Sequence, residues 1–398
     1  MPRSLPPISS VVVKLGTQLL SQADRTLNTG FIADIAGQIA RLRSGGVRVT
    51  VVSSGAVGAG LAALKLPKRP VPRTPQDLAV LQAVAAVGQP RLITAWADAL
   101  TPHGLAAAQI LLTREDIDHR IRYLNLRNTL AAAEKLGAIP ILNENDSVST
   151  DEMVRISFGE NDLLAALVTH AIQADLLVLL SVVDGVLDAQ GVPIRTVASP
   201  ADVKAMVRKE KSAGGKGGMD SKLAAAQLVT SAGSPLIIAD GRTPDVLPRL
   251  LAGEELGTYF LTPGSLPASS GSQGTRTARG TLRKPRGKSR WLATARPTGT
   301  LVVDEGAAKA LGRGDRSLLP AGITHHTGTF RRGDVVEVVS PTGKPIARGL
   351  TNYPSTAMAQ IQGKKTQEIR SVVTGPFYEE VIHRDNMILL SQDGVTPS

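Results

Sequence analysis

Short β-branched runs alternate with stretches of helical apolar spacing along roughly the first 260 residues, and that alternation leaves few folds open. Val11-Val12-Val13, leading into Lys14-Leu15-Gly16-Thr17, predicts a buried strand over 8–16. Phe31, Ile32, Ile35, Ile39 and Leu42 recur at helical spacing, and Ser44-Gly45-Gly46 stops the run. A second strand over 47–52 closes on Ser53-Ser54-Gly55-Ala56. Strand–helix–strand units of this length pack as right-handed crossovers in a parallel sheet. The pattern continues with strands over 105–112, 138–142 and 175–182 and a last one over 235–239. Helices are expected over 77–100, interrupted at Pro90, over 123–136 and from about Gly159 to Ile172, with a Pro- and Lys-rich surface excursion over 61–75. In open parallel sheets ligands bind beyond the carboxyl ends of the strands. Lys14, Ser54, the cluster Asn143-Glu144-Asn145-Asp146 and Asp184 all fall at such ends, which makes them candidates for one shared site.

A second constraint is the stretch Gly214-Gly215-Lys216-Gly217-Gly218-Met219-Asp220-Ser221-Lys222, which runs into an apolar helical pattern from Leu223. Glycines let backbone N–H groups approach an anion, and the helix start adds free donors and the positive end of its dipole. With lysines beside them, such residues hold phosphate. The motif is not the loop of P-loop enzymes, which needs Gly, four residues, then Gly-Lys-Ser/Thr. The one Gly-Lys-Ser, at 287–289, has Leu282 where the first glycine should stand. A strand–GxGxxG–helix unit is also missing.

Composition then bounds the rest. A chain of 398 residues with 42% apolar content has room for two domains with cores of Leu, Val, Ile and Ala, since aromatics make up only 3%. With no cysteine, disulfides, thiolate zinc sites and cysteine nucleophiles are excluded. The six histidines lack metal-ligand spacing, and His325-His326 reads as a loop pair. The N-terminal residues have no apolar signal core, and no uncharged apolar run reaches the ~18–20 residues that span a bilayer, so a cytoplasmic protein with no membrane partner is expected. Seven of the basic residues behind the net charge of +11 lie between Gly264 and Arg290, where no acidic residue stands. The expected organisation is an α/β domain over 1–261, which becomes the catalytic domain under the resemblance below, a basic Pro/Gly/Ser-rich linker over 262–290, a small mostly-β domain over 291–381 and a polar tail over 382–398.

On these residues the chain resembles the glutamate 5-kinase family. Lys14-Leu15-Gly16-Thr17, Ser53-Ser54-Gly55-Ala56, Asn143-Glu144-Asn145-Asp146-Ser147-Val148 and Gly217-Gly218-Met219-Asp220-Ser221-Lys222 occur in the family's order and approximate spacing, over roughly residues 8–380. The C-terminal part, with Thr327-Gly328-Thr329-Phe330-Arg331-Arg332-Gly333-Asp334, looks like a PUA domain. The resemblance implies an α/β fold, the amino-acid-kinase α/β/α sandwich with a mainly parallel sheet, followed by a PUA-like domain. It implies transfer of the ATP γ-phosphoryl group to the side-chain carboxylate of L-glutamate, with Mg²⁺ accompanying ATP. Lys14 and Lys222 match the family's phosphate-neutralising lysines, and Asp162 the carboxylate that orients both. Lys14, Ser54, Asp146 and Asn161 fall on its glutamate positions. Lys14, Gly16, Ser181, Val182, Lys216, Gly217, Gly218, Met219, Asp220, Ser221 and Lys222 fall on its ATP positions. Feedback inhibition by proline, a homo-oligomer (dimer or tetramer) and a partnership with glutamate-5-semialdehyde dehydrogenase are implied in the same way.

An acceptor carboxylate is already ionised at neutral pH, so the absence of an obvious general base fits this chemistry. Three positions depart from the family's pattern. Glu160 replaces a more usual Asp, Lys216 an often-seen Thr, and Val182 a usual Asp, whose polar contact on the nucleotide side would have to come from elsewhere, with Asp184 as the candidate. Two other readings stay open from the residues. One keeps the fold but takes aspartate or N-acetylglutamate, although an N-acyl substrate would leave Asp146 without its ammonium partner. The other makes the chain chiefly an RNA binder through its PUA-like domain and basic linker.

Overall fold

In a computed structural model, the chain forms two compact units, 1–276 and 277–398. The structure describes residues 3–68, 70–71, 74–148, 161–188, 190–200, 203, 218–263, 288–312, 316–369, 378–391 and 394–396.

Among the described residues the first unit holds ten strands: β1 (Ser10–Leu15), β2 (Arg48–Ser53), β3 (Ala107–Leu112), β4 (Ile139–Glu144), β5 (Leu176–Ser181), the short β6 (Val186–Leu187), β7 (Pro193–Ile194) and β8 (Thr196–Val197), then β9 (Leu236–Asp240) and β10 (Thr258–Phe260). Eight of them form one sheet in the order β3-β4-β2-β1-β5-β9-β10-β8, while β6 and β7 make a small hairpin. Every pairing in the large sheet is parallel except β9 with β10. All six residues of β1 are buried, including Lys14, because a central strand covered on both faces reads as a continuous apolar run. The expected last strand at 235–239 is followed by the antiparallel β10, which lies between β9 and the edge strand β8 and whose three residues are too few to give a periodic signal.

Helices Thr29–Ser44 and Asn161–Ile172 lie where the apolar spacing predicts them. The 77–100 pattern begins two residues earlier, at Pro75, where Thr74 and Asp77 form a reciprocal capping box. It is one continuous helix, Pro75–Leu100, and not two pieces broken at Pro90. Pro90 and Ala86, whose carbonyl loses its partner, are both exposed, so water can satisfy that carbonyl. Together with the turn that follows, Pro75–His103 is long enough, and over an 18-residue window with a mean hydropathy of 1.3 apolar enough, to cross a membrane by length and composition. Counting uncharged runs hides this because Arg91 interrupts them. The helix buries Leu78, Leu81, Val84, Leu92, Trp96 and Leu100 within the unit.

Part of the expected 61–75 excursion belongs to another helix, Ala56–Ala63, which starts after Gly55 at φ +109°. This helix and Pro75–Leu100 cross in backbone contact. A Cβ on Gly60 would stand 1.9 Å from the Val84 carbonyl oxygen, and one on Gly88 would stand 1.8 Å from that of Ala56.

The second unit holds a six-stranded sheet ordered β12-β11-β13-β14-β15-β16. Its strands are β11 (Gly299–Val303), β12 (Ile323–Gly328), β13 (Val335–Val339), β14 (Pro345–Leu350), β15 (Met387–Ser391) and β16 (Gly394–Thr396). Two expectations change here. His325 and His326 lie in β12 opposite Val302 and Leu301, and His326 packs edge-on against Phe330. The segment expected as a polar tail instead supplies β15 and β16, with β15 pairing to β14 and burying Met387 and Ile388. Polar residues at 383–386 hide that apolar run in the sequence. Of the expected linker, 264–287 lies outside the described residues, and a helix occupies Lys288–Thr294.

Gly88→Ala should lower the melting temperature markedly, because a methyl group cannot enter a backbone-to-backbone contact without separating two helices; overpacking of this kind costs about 1–3 kcal/mol. An unchanged melting curve would show that the two helices part freely.

Candidate active site

Strand β1 is flanked by β2 on one side and β5 on the other, and the connections run outward in opposite directions from that pair. The crevice beyond the carboxyl ends of β1 and β5 is thus the switch point of the sheet. Lys14 stands one residue from the end of β1, and Gly16 just beyond it donates its N–H to the Leu180 carbonyl at 3.1 Å.

Asp162 enters this crevice from the first turn of Asn161–Ile172, a helix buried on nearly every side. An apolar helix with no solvated face holds its first residues firmly in place. Lys222 enters from the first turn of Met219–Ser231, which follows Gly218. The two lysines close on the one carboxylate. Lys14 Nζ lies 2.6 Å from Asp162 Oδ1, and Lys222 Nζ lies 3.1 Å from Oδ2, which also accepts the Ser221 hydroxyl at 2.8 Å. Lys14 and Lys222 are each 5% exposed and Asp162 is fully buried. Burial alone would push the Asp162 pKa up. The charges of Lys14 and Lys222, with hydrogen bonds from Lys14 and Ser221, outweigh it and bring the pKa down to about 2. Two ammonium groups and one carboxylate leave a net charge of +1 in the interior. Each ammonium also has three donors, more than Asp162 consumes. Such a group calls for an anion.

A polar cluster of a different kind lies at the ends of β2 and β4. The Asn161 side-chain nitrogen donates to the Ser54 hydroxyl at 2.9 Å, the Ser53 carbonyl at 3.2 Å and Asn143 Oδ1 at 2.9 Å. Asn143 in turn donates to Gln89 Oε1 at 2.9 Å, and Trp96 Nε1 donates to the Ser53 hydroxyl at 2.9 Å. Asp146 sits half-buried in the turn after β4. The structure thus brings Lys14, Asp162, Ser221 and Lys222 into one cluster and Ser54 and Asn161 into a second. Consecutive residues Asn161 and Asp162 join the two.

On the other side of Lys14, at the ends of β5 and β9, the Val182 carbonyl accepts from Arg242 Nη2 at 2.9 Å, and Arg242 forks the Asp240 carboxylate. Asp184, the candidate for the polar contact that Val182 lacks, is engaged within the protein. It pairs with Arg195 at 3.1 Å and accepts the Gly257 N–H at 3.3 Å, which ties down the sheet edge instead. Ser181 ends β5 in register with Asp240. Gly218 and Met219 open the lysine helix, with Asp220 exposed in its first turn. Lys216, Gly217 and Glu160 lie outside the described residues. Gln89, Trp96 and Arg242 are the participants that the sequence reading misses. The first two sit inside a long apolar helix, and the third looks like an ordinary turn residue.

Among the described residues no three His, Asp or Glu side chains gather as a metal cluster. Asp162 has both oxygens committed to lysine. Among the described residues the site therefore offers no ligand set for a protein-held metal ion, and a cation arriving with a nucleotide would be held by phosphates and water.

Comparison with known proteins identifies the family. Residues 9–240 match the amino acid kinase family and residues 299–373 the PUA domain. The glutamate 5-kinase of Desulfotalea psychrophila is 42% identical over 390 residues, covering 96% of each chain. That of Thermus thermophilus is 42% identical over 386 residues, covering 95% of this chain and 96% of the other. That of a Geobacter species is 40% identical over 394 residues, covering 97% and 99%. With identity at this level sustained across both units, the chain belongs to the amino acid kinase family and, within it, to the glutamate 5-kinases.

Proposed function

We infer that the chain transfers the γ-phosphoryl group of ATP to the side-chain carboxylate of L-glutamate, giving L-glutamyl 5-phosphate, the first step of proline biosynthesis from glutamate. The observation that carries this reading is the buried Lys14–Asp162–Lys222 trio with its net positive charge, at the switch point of the sheet. A carboxylate oxygen of glutamate attacks the γ-phosphorus, the bond from that phosphorus to the bridging oxygen breaks, and ADP leaves with the electron pair. No proton has to be removed from the acceptor. The protein's part is to align two anions and offset their repulsion.

Lys14 and Lys222 supply the positive charge, and Asp162 holds both ammonium groups in place. Ser54, Asn161 and Asp146 receive the amino acid, with Asp146 pairing to its α-ammonium. That pairing favours a free amino acid over an N-acyl one, because the acylated nitrogen would leave a carboxylate without its partner. ATP lies along Gly16, Ser181, Val182 and the segment from Lys216 to Lys222, bringing Mg²⁺ as its own counter-ion. Feedback by proline, a dimer or tetramer, hand-over of the acyl phosphate to glutamate-5-semialdehyde dehydrogenase and a cytoplasmic location are expectations of family membership. The limit of the catalytic domain at 261 rests on the change of composition that follows it.

Trapping with hydroxylamine tests the substrate directly. ATP-dependent hydroxamate should form with glutamate and not with aspartate or N-acetylglutamate; comparable product from either of the others would overturn the assignment of the acid pocket. Lys14→Ala and Lys222→Ala should each lower kcat by roughly 10²–10³, the usual loss for one preorganised charge donor, with circular dichroism unchanged. A variant within tenfold of wild type would remove that lysine from the phosphoryl site.

The Asp162 pKa gives a further check. Because it falls from 3.8 unfolded to about 2 folded, ionised Asp162 adds stability above pH 3.8 that is lost as pH drops toward 2. The contribution is about 2 kcal/mol at one unit per 1.36 kcal/mol. Unfolding free energies measured between pH 5 and pH 2.5 should fall more steeply for wild type than for Asp162→Asn; parallel slopes would mean that Asp162 is not held ionised between its lysines.

A further inference from the structure

The amide chain Gln89–Asn143–Asn161 has a polarity that can be read from one end. Asn161 lies 3.2 Å from the Ser53 backbone carbonyl, which can only accept, so the nitrogen of its amide must face that way. The Ser54 hydroxyl and Asn143 Oδ1 surround the same nitrogen at 2.9 Å each. Asn143 must then present its oxygen to Asn161 and its nitrogen to Gln89, and Gln89 must answer with Oε1. Both hydrogens of the Asn161 amide are spent on protein acceptors. Its oxygen takes no hydrogen bond among the described residues, and this acceptor is what Asn161 has left to offer a ligand.

The long helix Pro75–Leu100 is placed to enforce this. Gln89 and Trp96 are seven residues apart, two turns along one face. Gln89 reaches Asn143 at the end of β4, and Trp96 reaches Ser53 at the end of β2, the neighbouring strand. Gly88, beside Gln89, keeps the helix in backbone contact with Ala56–Ala63, which begins directly after Ser53, Ser54 and Gly55.

We propose that Gln89 is a positioning residue of the acid pocket: its carbonyl oxygen holds Asn143, which in turn holds the Asn161 amide with its oxygen toward the bound amino acid. In this arrangement Asn161 accepts a hydrogen from the substrate's α-ammonium, and the Ser54 hydroxyl keeps its own hydrogen to donate to a carboxylate. The proposal rests on the placement of Asn161 in the glutamate pocket.

Steady-state kinetics with the full chain test it, using Gln89→Met and Gln89→Glu, each alone and combined with Asn161→Ala. Methionine keeps the length of glutamine and removes the acceptor. Gln89→Met should raise the glutamate KM roughly tenfold, the weight of one buried hydrogen bond, with the ATP KM and kcat within about threefold of wild type. Gln89→Glu retains an acceptor toward Asn143 and should stay within about threefold in all three constants. In the Asn161→Ala background Gln89→Met should add less than about twofold, since its effect passes through Asn161. Gln89→Ala, read in the same way, serves if the methionine variant does not fold. The relay is overturned if Gln89→Met leaves the glutamate KM unchanged while Asn161→Ala raises it, if glutamate at 89 is as harmful as methionine, or if the double variant shows the full added cost. A normal glutamate KM in Asn161→Ala would instead remove Asn161 from the pocket, and the relay with it.

Discussion

Three charges share one buried site, and their odd number is the constraint on which the rest depends. A lone lysine with 5% exposure would carry a heavy desolvation cost, and a single lysine–aspartate pair would be neutral. Placing Asp162 between Lys14 and Lys222 holds two ammonium groups close together and still leaves one positive charge uncompensated. The three residues come from a central strand and from the first turns of two helices, and each element is anchored in the core. No loop has to order itself to bring the lysines together. The first turn of each helix also places free backbone N–H groups near the same crevice.

The neighbouring cluster works by direction and not by charge. Ser53, Ser54, Asn143, Asn161, Gln89 and Trp96 are all neutral, and a neutral network can orient a zwitterionic amino acid without competing with its charges. What makes the network specific is the single acceptor-only group, the Ser53 carbonyl, from which every amide orientation follows. Asn161 belongs to this cluster and Asp162 to the charged one, so a single helix start fixes the two clusters relative to each other.

Much of this was legible in the sequence because parallel sheets impose it. With β1, β2 and β4 read as strands, Lys14, Ser54 and Asn143 fall at their carboxyl ends, whereas Asp162 stands on a helix and is reached only through the family resemblance. The illegible parts share a cause: their signal is tertiary. Gln89 and Trp96 occupy helix positions where any long side chain would satisfy the local pattern, and only the crossing at Gly60 and Gly88 aims them at the strand ends. Pro90 reads as a break because sequence alone does not tell which face of the helix is wet. The hairpin at 387–396 was hidden by the polar turn before it, although Met387 and Ile388 pair and pack like any core strand. At Val182 the sequence offers Asp184 as a polar substitute; in the fold Asp184 pairs with Arg195, and the Val182 carbonyl accepts from Arg242, in the turn beyond β9.

The size of the electrostatic effect explains why such a site dispenses with a general base. The acceptor is an anion before it reacts, so deprotonation offers no gain, and the obstacle is bringing it toward a polyanion. One unit charge at about 4 Å interacts with another by about 4 kcal/mol at an effective dielectric of 20, against about 1 kcal/mol in water. Burying the trio therefore strengthens its pull on phosphate several-fold compared with the same residues on the surface. The same burial would make the trio untenable if all three charges had one sign, and Asp162 is what prevents that. Its pKa of about 2 keeps it ionised throughout the neutral range, so the net charge offered to substrate does not change with pH there. A neutral residue in its place would leave the two ammonium groups to repel each other. A carboxylate held between two lysines is the arrangement of these residue types that is both foldable and still positive.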